Sequence, residues 1–175
     1  IMAILVVATP WALTWADFKK TDTKPVDSTG ESFDAFTSFA WDVPGLTYST
    51  GKDGQLFYTG LNVITVTPNA RIFKSSPQTA ALLSHEQFHY DVGIVTARAF
   101  ALQLMAMRAP NLRALQMAQD KAQQLHIETR SALIQRHYDH ETHHGTDAHY
   151  QKIWKDSMAA CLANPRNLHL QGFLL

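Results

Sequence analysis

A chain of 175 residues with 46% hydrophobic and 17% charged side chains can bury one sizeable core, which excludes an intrinsically disordered protein. Lysine plus arginine equals aspartate plus glutamate at 15 each, and there is no basic patch or cationic run, so we expect no nucleic-acid partner and no stable membrane insertion. Cys161 is the only cysteine, which rules out an internal disulfide.

The N-terminal part of the chain, about residues 1–75, predicts a β-sheet. Residues 1–8 are nearly all apolar but too few to span a bilayer, and they suit either a first buried strand or the remnant of a signal segment. The polar stretch 21–31 contains Pro25 and Gly30 and predicts a loop. Aromatic and β-branched residues predict strands within 32–49 and 55–67 and a short edge strand at 71–74.

Three helices are predicted next, at about 77–107, 111–143 and 147–163. Ser76 and Pro77 suit the N-cap and first position of the first helix, and Pro110 separates it from the second. With strands at about 1–75 and helices at about 77–163, the sequence predicts an α+β fold in one domain over residues 1–175.

His85-Glu86-Gln87-Phe88-His89 has the His-Glu-x-x-His spacing that places two imidazoles on one face of a helix. His85 and His89 can therefore ligate one metal ion, and Glu86 lies beside them to act on the water that the metal binds. Both histidines fall on an apolar stripe that includes Phe88 and Val92, so we expect them to face the core.

A catalytic zinc site usually takes three protein ligands, and the first motif supplies two. Five histidines lie between residues 137 and 149, so we expect the third ligand from this region. An apolar stripe on the second helix, extended by three- and four-residue steps, reaches three of these histidines. The stripe consists of Leu112, Leu115, Ala122, Leu125, Thr129 and Ala132 or Leu133, and its extension of His137, His140 and His144.

The chain resembles a bacterial family of predicted secreted zinc-dependent proteases, known as domain of unknown function 922. The resemblance rests on three stretches that together span about residues 11–154. They are Leu13-Thr14-Trp15-Ala16-Asp17-Phe18, then Leu82-Leu83-Ser84-His85-Glu86-Gln87-Phe88-His89-Tyr90-Asp91-Val92 with Ala97-Arg98, and finally Tyr138-Asp139-His140-Glu141-Thr142-His143-His144-Gly145 with Gln151 and Trp154.

That resemblance implies a zincin-like metalloprotease domain, a bound Zn²⁺, a peptide or protein substrate, and a secreted or periplasmic location. It also implies His144 as the third metal ligand, because His144 aligns with the His-Gly of the family's third element. His140, His143, Glu141 and His149 remain alternatives for that ligand.

The ligand set predicts a zinc-dependent hydrolase, most simply a metallopeptidase in which Glu86 accepts a proton from zinc-bound water. We expect Tyr138 to stabilise the oxyanion, with Tyr150 as the alternative. Asp91 and Asp139 are candidates to orient the ligand rings, and Asp139 could instead pair with an arginine.

Two further expectations concern how such a protein would work. Residues 63–71 are the candidate edge strand that would hold an extended substrate by strand addition. The alternative to an enzyme is a non-catalytic module in which zinc stabilises the helices for binding a partner. A carboxylate at Glu86 argues against that alternative, because a purely structural zinc site has no need of an unligated carboxylate.

Overall fold

The computed structural model describes residues 4–7, 11–59 and 61–175. Its N-terminal part consists of strands and its C-terminal part mainly of helices, which confirms the predicted α+β class. The strands are β1 (Ile4–Val7), β2 (Phe18–Thr21), β3 (Ala35–Asp42), β4 (Thr47–Thr50), β5 (Leu56–Thr59), β6 (Leu61–Phe73), β7 (His169–Leu170) and β8 (Phe173–Leu174). The helices are α1 (Ala80–Ala106), α2 (Leu112–Gln124), a π-helical segment (Leu125–Ser131), α3 (Ala132–Glu141) and α4 (Ala148–Ala163).

Strand β6 organises the main sheet because it pairs with three other strands. It runs parallel to β1 and β2 at its two ends and antiparallel to β3 over residues 65–72. Residues 63–71 are therefore not an edge strand along their whole length, because β1 pairs with 63–64 and both β2 and β3 pair with 70–71. The separate edge strand predicted at 71–74 is instead the end of β6. Over residues 65–69, β6 pairs with β3 alone among the described residues. Pro68 is tolerated here because the side of β6 away from β3 has no partner strand in the described ranges, so the missing backbone N–H breaks no ladder bond.

The apolar segment predicted at residues 1–8 contains β1, whose four residues pair with the start of β6. Residues 1–3 and 8 lie outside the described part of the chain. Strands β4 and β5 form a separate antiparallel pair, and β7 and β8 form a small one near the C-terminal side of α4.

Helix α1 lies between two layers of packing, with the sheet on one side and α3 and α4 on the other. Thr79 caps its N-terminus by accepting from the backbone N–H of Leu82, three residues after the predicted cap at Ser76. One core joins α1 to the sheet, and a second joins it to α3 and α4. The first includes Tyr90, Ile94, Phe100, Ile64 and Ile72, and the second includes Phe88, Val92, Ile134, Tyr138, Trp154 and Met158.

The predicted second helix is one nearly continuous rod over residues 112–141, but it contains the π-helical segment of seven residues. A π turn accommodates an extra residue, so it rotates the downstream face relative to a regular 3.6-residue repeat. Leu115 and Ala122 are buried before this segment as predicted, whereas Ile134, Tyr138 and Thr142 are buried after it. The extrapolated stripe of His137, His140 and His144 is therefore out of phase with the buried face.

None of the helices in the described ranges combines the length with the apolar character that a bilayer crossing requires.

Candidate metal centre

Helix α1 brings His85, Glu86 and His89 together because four helical residues make slightly more than one turn. All three side chains are buried, as the sequence predicted for the two histidines. The Nε2 atoms of His85 and His89 lie 3.2 Å apart, and their rings meet edge to face. At this distance the two nitrogens can share either one hydrogen or one metal ion.

Asp139 on α3 completes the group. Its Oδ1 lies 3.1 Å from Nε2 of His85 and 3.0 Å from Nε2 of His89. Although both contacts are within ion-pair distance, this buried oxygen has no hydrogen-bond partner of good geometry among the described residues. The three residues form a group that could hold a metal ion.

The spacing of these three atoms fits a small tetrahedral ion. Ligand atoms about 2.0–2.2 Å from a tetrahedral zinc lie roughly 3.3–3.6 Å from one another. The three observed separations are 3.0, 3.1 and 3.2 Å, a few tenths of an ångström shorter. Two imidazole nitrogens and one carboxylate oxygen are also ligands that zinc accepts.

The electrostatics of the group without a metal are those of a buried ion pair. Burial lowers the pKa of His89, but the charge of Asp139 and its contact with the ring outweigh it and raise that pKa to about 9. Burial alone would raise the pKa of Asp139, and the neighbouring His89 and His85 hold that pKa well below its usual range. A metal cation would replace the proton that His89 carries at neutral pH.

His144, the expected third ligand, is not part of this group, although it lines a cavity together with His85 and Glu86. Helix α3 ends at Glu141, and His143 and His144 both have positive φ values, of 46° and 54°. This turn directs the His144 ring towards the loop before β3, where its Nε2 lies 3.3 Å from Oε1 of Glu31 and its ring contacts Phe33. Asp139, one turn earlier on the helix, occupies the position next to the two imidazoles.

The other candidates for the third ligand also have different neighbours. Glu141 accepts a hydrogen bond of 2.7 Å from the indole N–H of Trp154. Nδ1 of His143 lies 3.8 Å from Oδ2 of Asp147, the ring of His149 packs on Tyr150, and His140 is exposed.

Tyr138 lies beside the centre, but it is completely buried. Its ring stacks on His85 with centroids 4.7 Å apart and on Phe88 with centroids 3.8 Å apart. Burial and the charge of Asp139 raise the pKa of its hydroxyl far above the ordinary value. Tyr138 does not line either cavity next to the centre, whereas Tyr150, the alternative, is 43% exposed on α4.

The outer nitrogens of the two rings contact glutamine side chains that the sequence reasoning did not assign. Nδ1 of His89 lies 3.2 Å from Oε1 of Gln135 on α3, and Nδ1 of His85 lies 3.4 Å from Oε1 of Gln151 on α4. Asp91, expected to orient a ring, instead accepts from the amide of Gln87. Gln135 precedes Asp139 by four residues, and this helical spacing was the signal in the sequence that could have linked them.

Gly145 lies next to the Cβ, Cγ and Nδ1 atoms of His85. A Cβ atom at this position would lie 2.9–3.1 Å from three atoms of the His85 side chain, and the φ of Gly145 is +84°. Both the close approach and the left-handed backbone require glycine here. The turn between α3 and α4 therefore fixes one side of the ring.

Two cavities share Phe33, Ala35, His85 and Glu86, and the smaller of the two is also lined by His144. One, of about 210 Å³, extends towards Lys24, Leu82 and Thr146, and the other, of about 310 Å³, extends towards the metal group. The second is lined in addition by Phe36, Thr37, His89, Gln135, Arg136 and Asp139. Oε2 of Glu86 is buried without a hydrogen-bond partner among the described residues.

Comparisons with known proteins found no family model, no curated protein and no solved structure that matches this chain.

Proposed function

We propose that the protein is a zinc-dependent hydrolase of the zincin type that cleaves amide bonds in peptides. The observation that carries this proposal is the convergence of His85, His89 and Asp139 next to Glu86. This buried residue lines both cavities, and its Oε2 has no hydrogen-bond partner among the described residues. A structural zinc site is closed by four protein ligands. Here three ligand atoms leave one position open, and the carboxylate of Glu86 lines the adjacent cavities, which favours a catalytic site over a structural one.

Zinc would act in this centre as a Lewis acid and would lower the pKa of water to about 7. The chain's own residues have distinct roles in the proposal. His85, His89 and Asp139 hold the ion, and Glu86 accepts a proton from the attacking water and passes it to the leaving amine. Tyr138 is too deeply buried to reach a substrate, so its proposed role is to hold the His85 ring by stacking.

The peptide substrate is proposed to lie along the edge of β3 that has no strand partner among the described residues. The N–H of Phe73 donates to the carbonyl of Asp34 at 2.9 Å, so Asp34 directs its backbone groups towards β6. In an antiparallel ladder these directions alternate, which leaves the backbone groups of Ala35 and Thr37 on the free edge. Both residues line the cavity that contains His85 and Glu86. The strand-addition hypothesis therefore moves from residues 63–71 to β3.

The substitution Glu86→Gln tests the catalytic proposal. We expect it to retain zinc and to lower kcat on a peptide substrate by at least 10²–10⁴, because a general base contributes about that factor. Glu128→Gln, which makes the same change at an exposed residue of the π-helical segment, is the matched control and should have no effect. Full turnover in Glu86→Gln would contradict the general-base role.

A peptide series tests the edge-strand binding separately. Single N-methylation of substrate amides should raise KM at alternate positions, because only every second amide of an added strand faces β3. An equal effect at every position would contradict strand addition. A wild-type protein that binds zinc but cleaves no member of a broad peptide library would instead favour the non-catalytic, zinc-stabilised binding module.

A further inference from the structure

We propose that Gln135 and Gln151 are positioning residues that set the metal affinity of the centre by holding the two ligand imidazoles through their Nδ1 atoms. This inference rests on the proposed metal site, and it concerns residues that do not touch the ion. Each glutamine comes from a different helix and contacts a different ring. The two contacts therefore link α3 and α4 to the ligands on α1.

The chemistry of an amide oxygen determines the tautomer of each ring. Oε1 has no proton and can only accept, so its partner Nδ1 must carry the hydrogen. A neutral imidazole with a proton on Nδ1 has its lone pair on Nε2, and the two Nε2 atoms are those that converge with Asp139. The contact lengths of 3.2 Å at His89 and 3.4 Å at His85 are within hydrogen-bond range.

The neutrality of the amides matters because the centre is buried. A divalent cation with the carboxylates of Asp139 and Glu86 forms a group with no net charge. Carboxylates at positions 135 and 151 would orient the rings equally well but would add two negative charges to that group. Glutamine supplies the acceptor for each ring without that charge.

Further contacts restrict the His85 ring to the orientation that Gln151 favours. Tyr138 stacks on one face of the ring with an interplanar angle of 17°, and Gly145 lies against the ring atoms. The hydrogen bond to Gln151 then selects, of the two flipped orientations of the ring, the one that directs Nε2 towards Asp139. Tyr138 meets the His89 ring edge to face with centroids 5.4 Å apart, and His89 and Gln135 both line the larger cavity.

The test is the Zn²⁺ affinity of purified protein, measured by competition with a chelator of known affinity. Gln135→Leu and Gln151→Leu should each weaken Zn²⁺ binding by about 10–100-fold, because the loss of an orienting partner has that effect at metal sites. Gln116→Leu, the same change on the exposed face of α2, should leave the affinity unchanged. Gln135→Glu and Gln151→Glu keep an acceptor for each ring, so each should lose less Zn²⁺ affinity than the leucine variant at the same position.

Two further measurements separate positioning from a general effect on folding. Gln135→Asn and Gln151→Asn keep a polar amide but shorten it by one methylene, so they should weaken Zn²⁺ binding even if the leucine variants fold poorly. Imidazole ¹⁵N NMR of the zinc-loaded wild type should show Nδ1 protonated and Nε2 metal-bound on both rings.

The outcomes distinguish this inference from the proposed function. Wild-type Zn²⁺ binding with unchanged affinity in the leucine and asparagine variants would overturn the role of the glutamines alone. Metal bound through Nδ1 would also overturn it. No Zn²⁺ binding by the wild type would overturn both this inference and the proposed function.

Discussion

The substitution Asp139→Asn should weaken Zn²⁺ binding, because Asp139 provides the third atom of the metal group and its only anionic one. Zinc sites with four protein ligands bind with about 10–16 kcal/mol, or roughly 2.5–4 kcal/mol per ligand. The loss of one ligand is thus expected to lower the affinity by about 10²–10³-fold.

The pH of the assay changes this magnitude in a predictable direction. Without metal, Asp139 helps to raise the pKa of His89 to about 9, so at pH 7.5 zinc must displace a proton from the wild type. That displacement costs about 2 kcal/mol, and it largely disappears in Asp139→Asn. The measured loss should therefore be only about 3–30-fold at pH 7.5 and should approach the full factor near pH 9.

Chelator competition at pH 7.5 and pH 9 would measure both effects, with His144→Ala as the comparison. His144 contacts Glu31 and Phe33 and is not part of the metal group, so its removal should change the affinity less than twofold. A large loss in His144→Ala together with an unchanged Asp139→Asn would refute the reasoning and restore His144 as the third ligand.

Three other predictions follow from the centre and its surroundings. Gly145→Ala should weaken Zn²⁺ binding at least tenfold, because the added Cβ would displace the His85 ring. Gly54→Ala is the control: its φ of +79° is similar but the space around it is open, so only stability should change. Equal Zn²⁺ affinity in the two variants would contradict this prediction. Tyr138→Phe should keep kcat within a few-fold of the wild type, and a loss of 10² or more with zinc still bound would show that its hydroxyl acts in catalysis. Burial lowers the pKa of His126 to about 4, helped by the charge of Arg130, so the free energy of unfolding should fall by up to about 3 kcal/mol between pH 6.5 and pH 4. Urea unfolding of His126→Gln should show a smaller fall over the same range, and an identical fall would exclude His126 as the cause.

The local part of the centre could be predicted from sequence because it depends on helical geometry alone. His85, Glu86 and His89 lie within two turns of one helix, and that spacing is the same in any fold. The burial of His85 and His89 was also predictable from the apolar residues at three- and four-residue spacing around them.

The third member of the group could not be found by extending a periodic pattern. The π-helical segment at Leu125–Ser131 shifts the buried face by about one position, from His137 towards Tyr138. Asp139 therefore meets the imidazoles, whereas the end of α3 and the positive φ values that follow carry His144 elsewhere. No local propensity in the sequence indicates where such a segment will form.

The sheet shows the same division between local and long-range information. The strand composition of residues 55–67 was recognisable, but the continuous strand β6 passes through Pro68, which would ordinarily argue against a central strand. Proline fits because the far side of β6 is not paired at this point among the described residues. Which strand lies at the edge beside the centre depends on this pairing and not on composition.

The central claim is that His85, His89 and Asp139 hold one zinc ion, and elemental mass spectrometry of protein purified without chelators or a metal column tests it most directly. We predict about one zinc per chain in the wild type and almost none in a His85→Ala, His89→Ala double variant that remains folded. A wild-type protein that contains no zinc and takes up none when zinc is added would contradict the account.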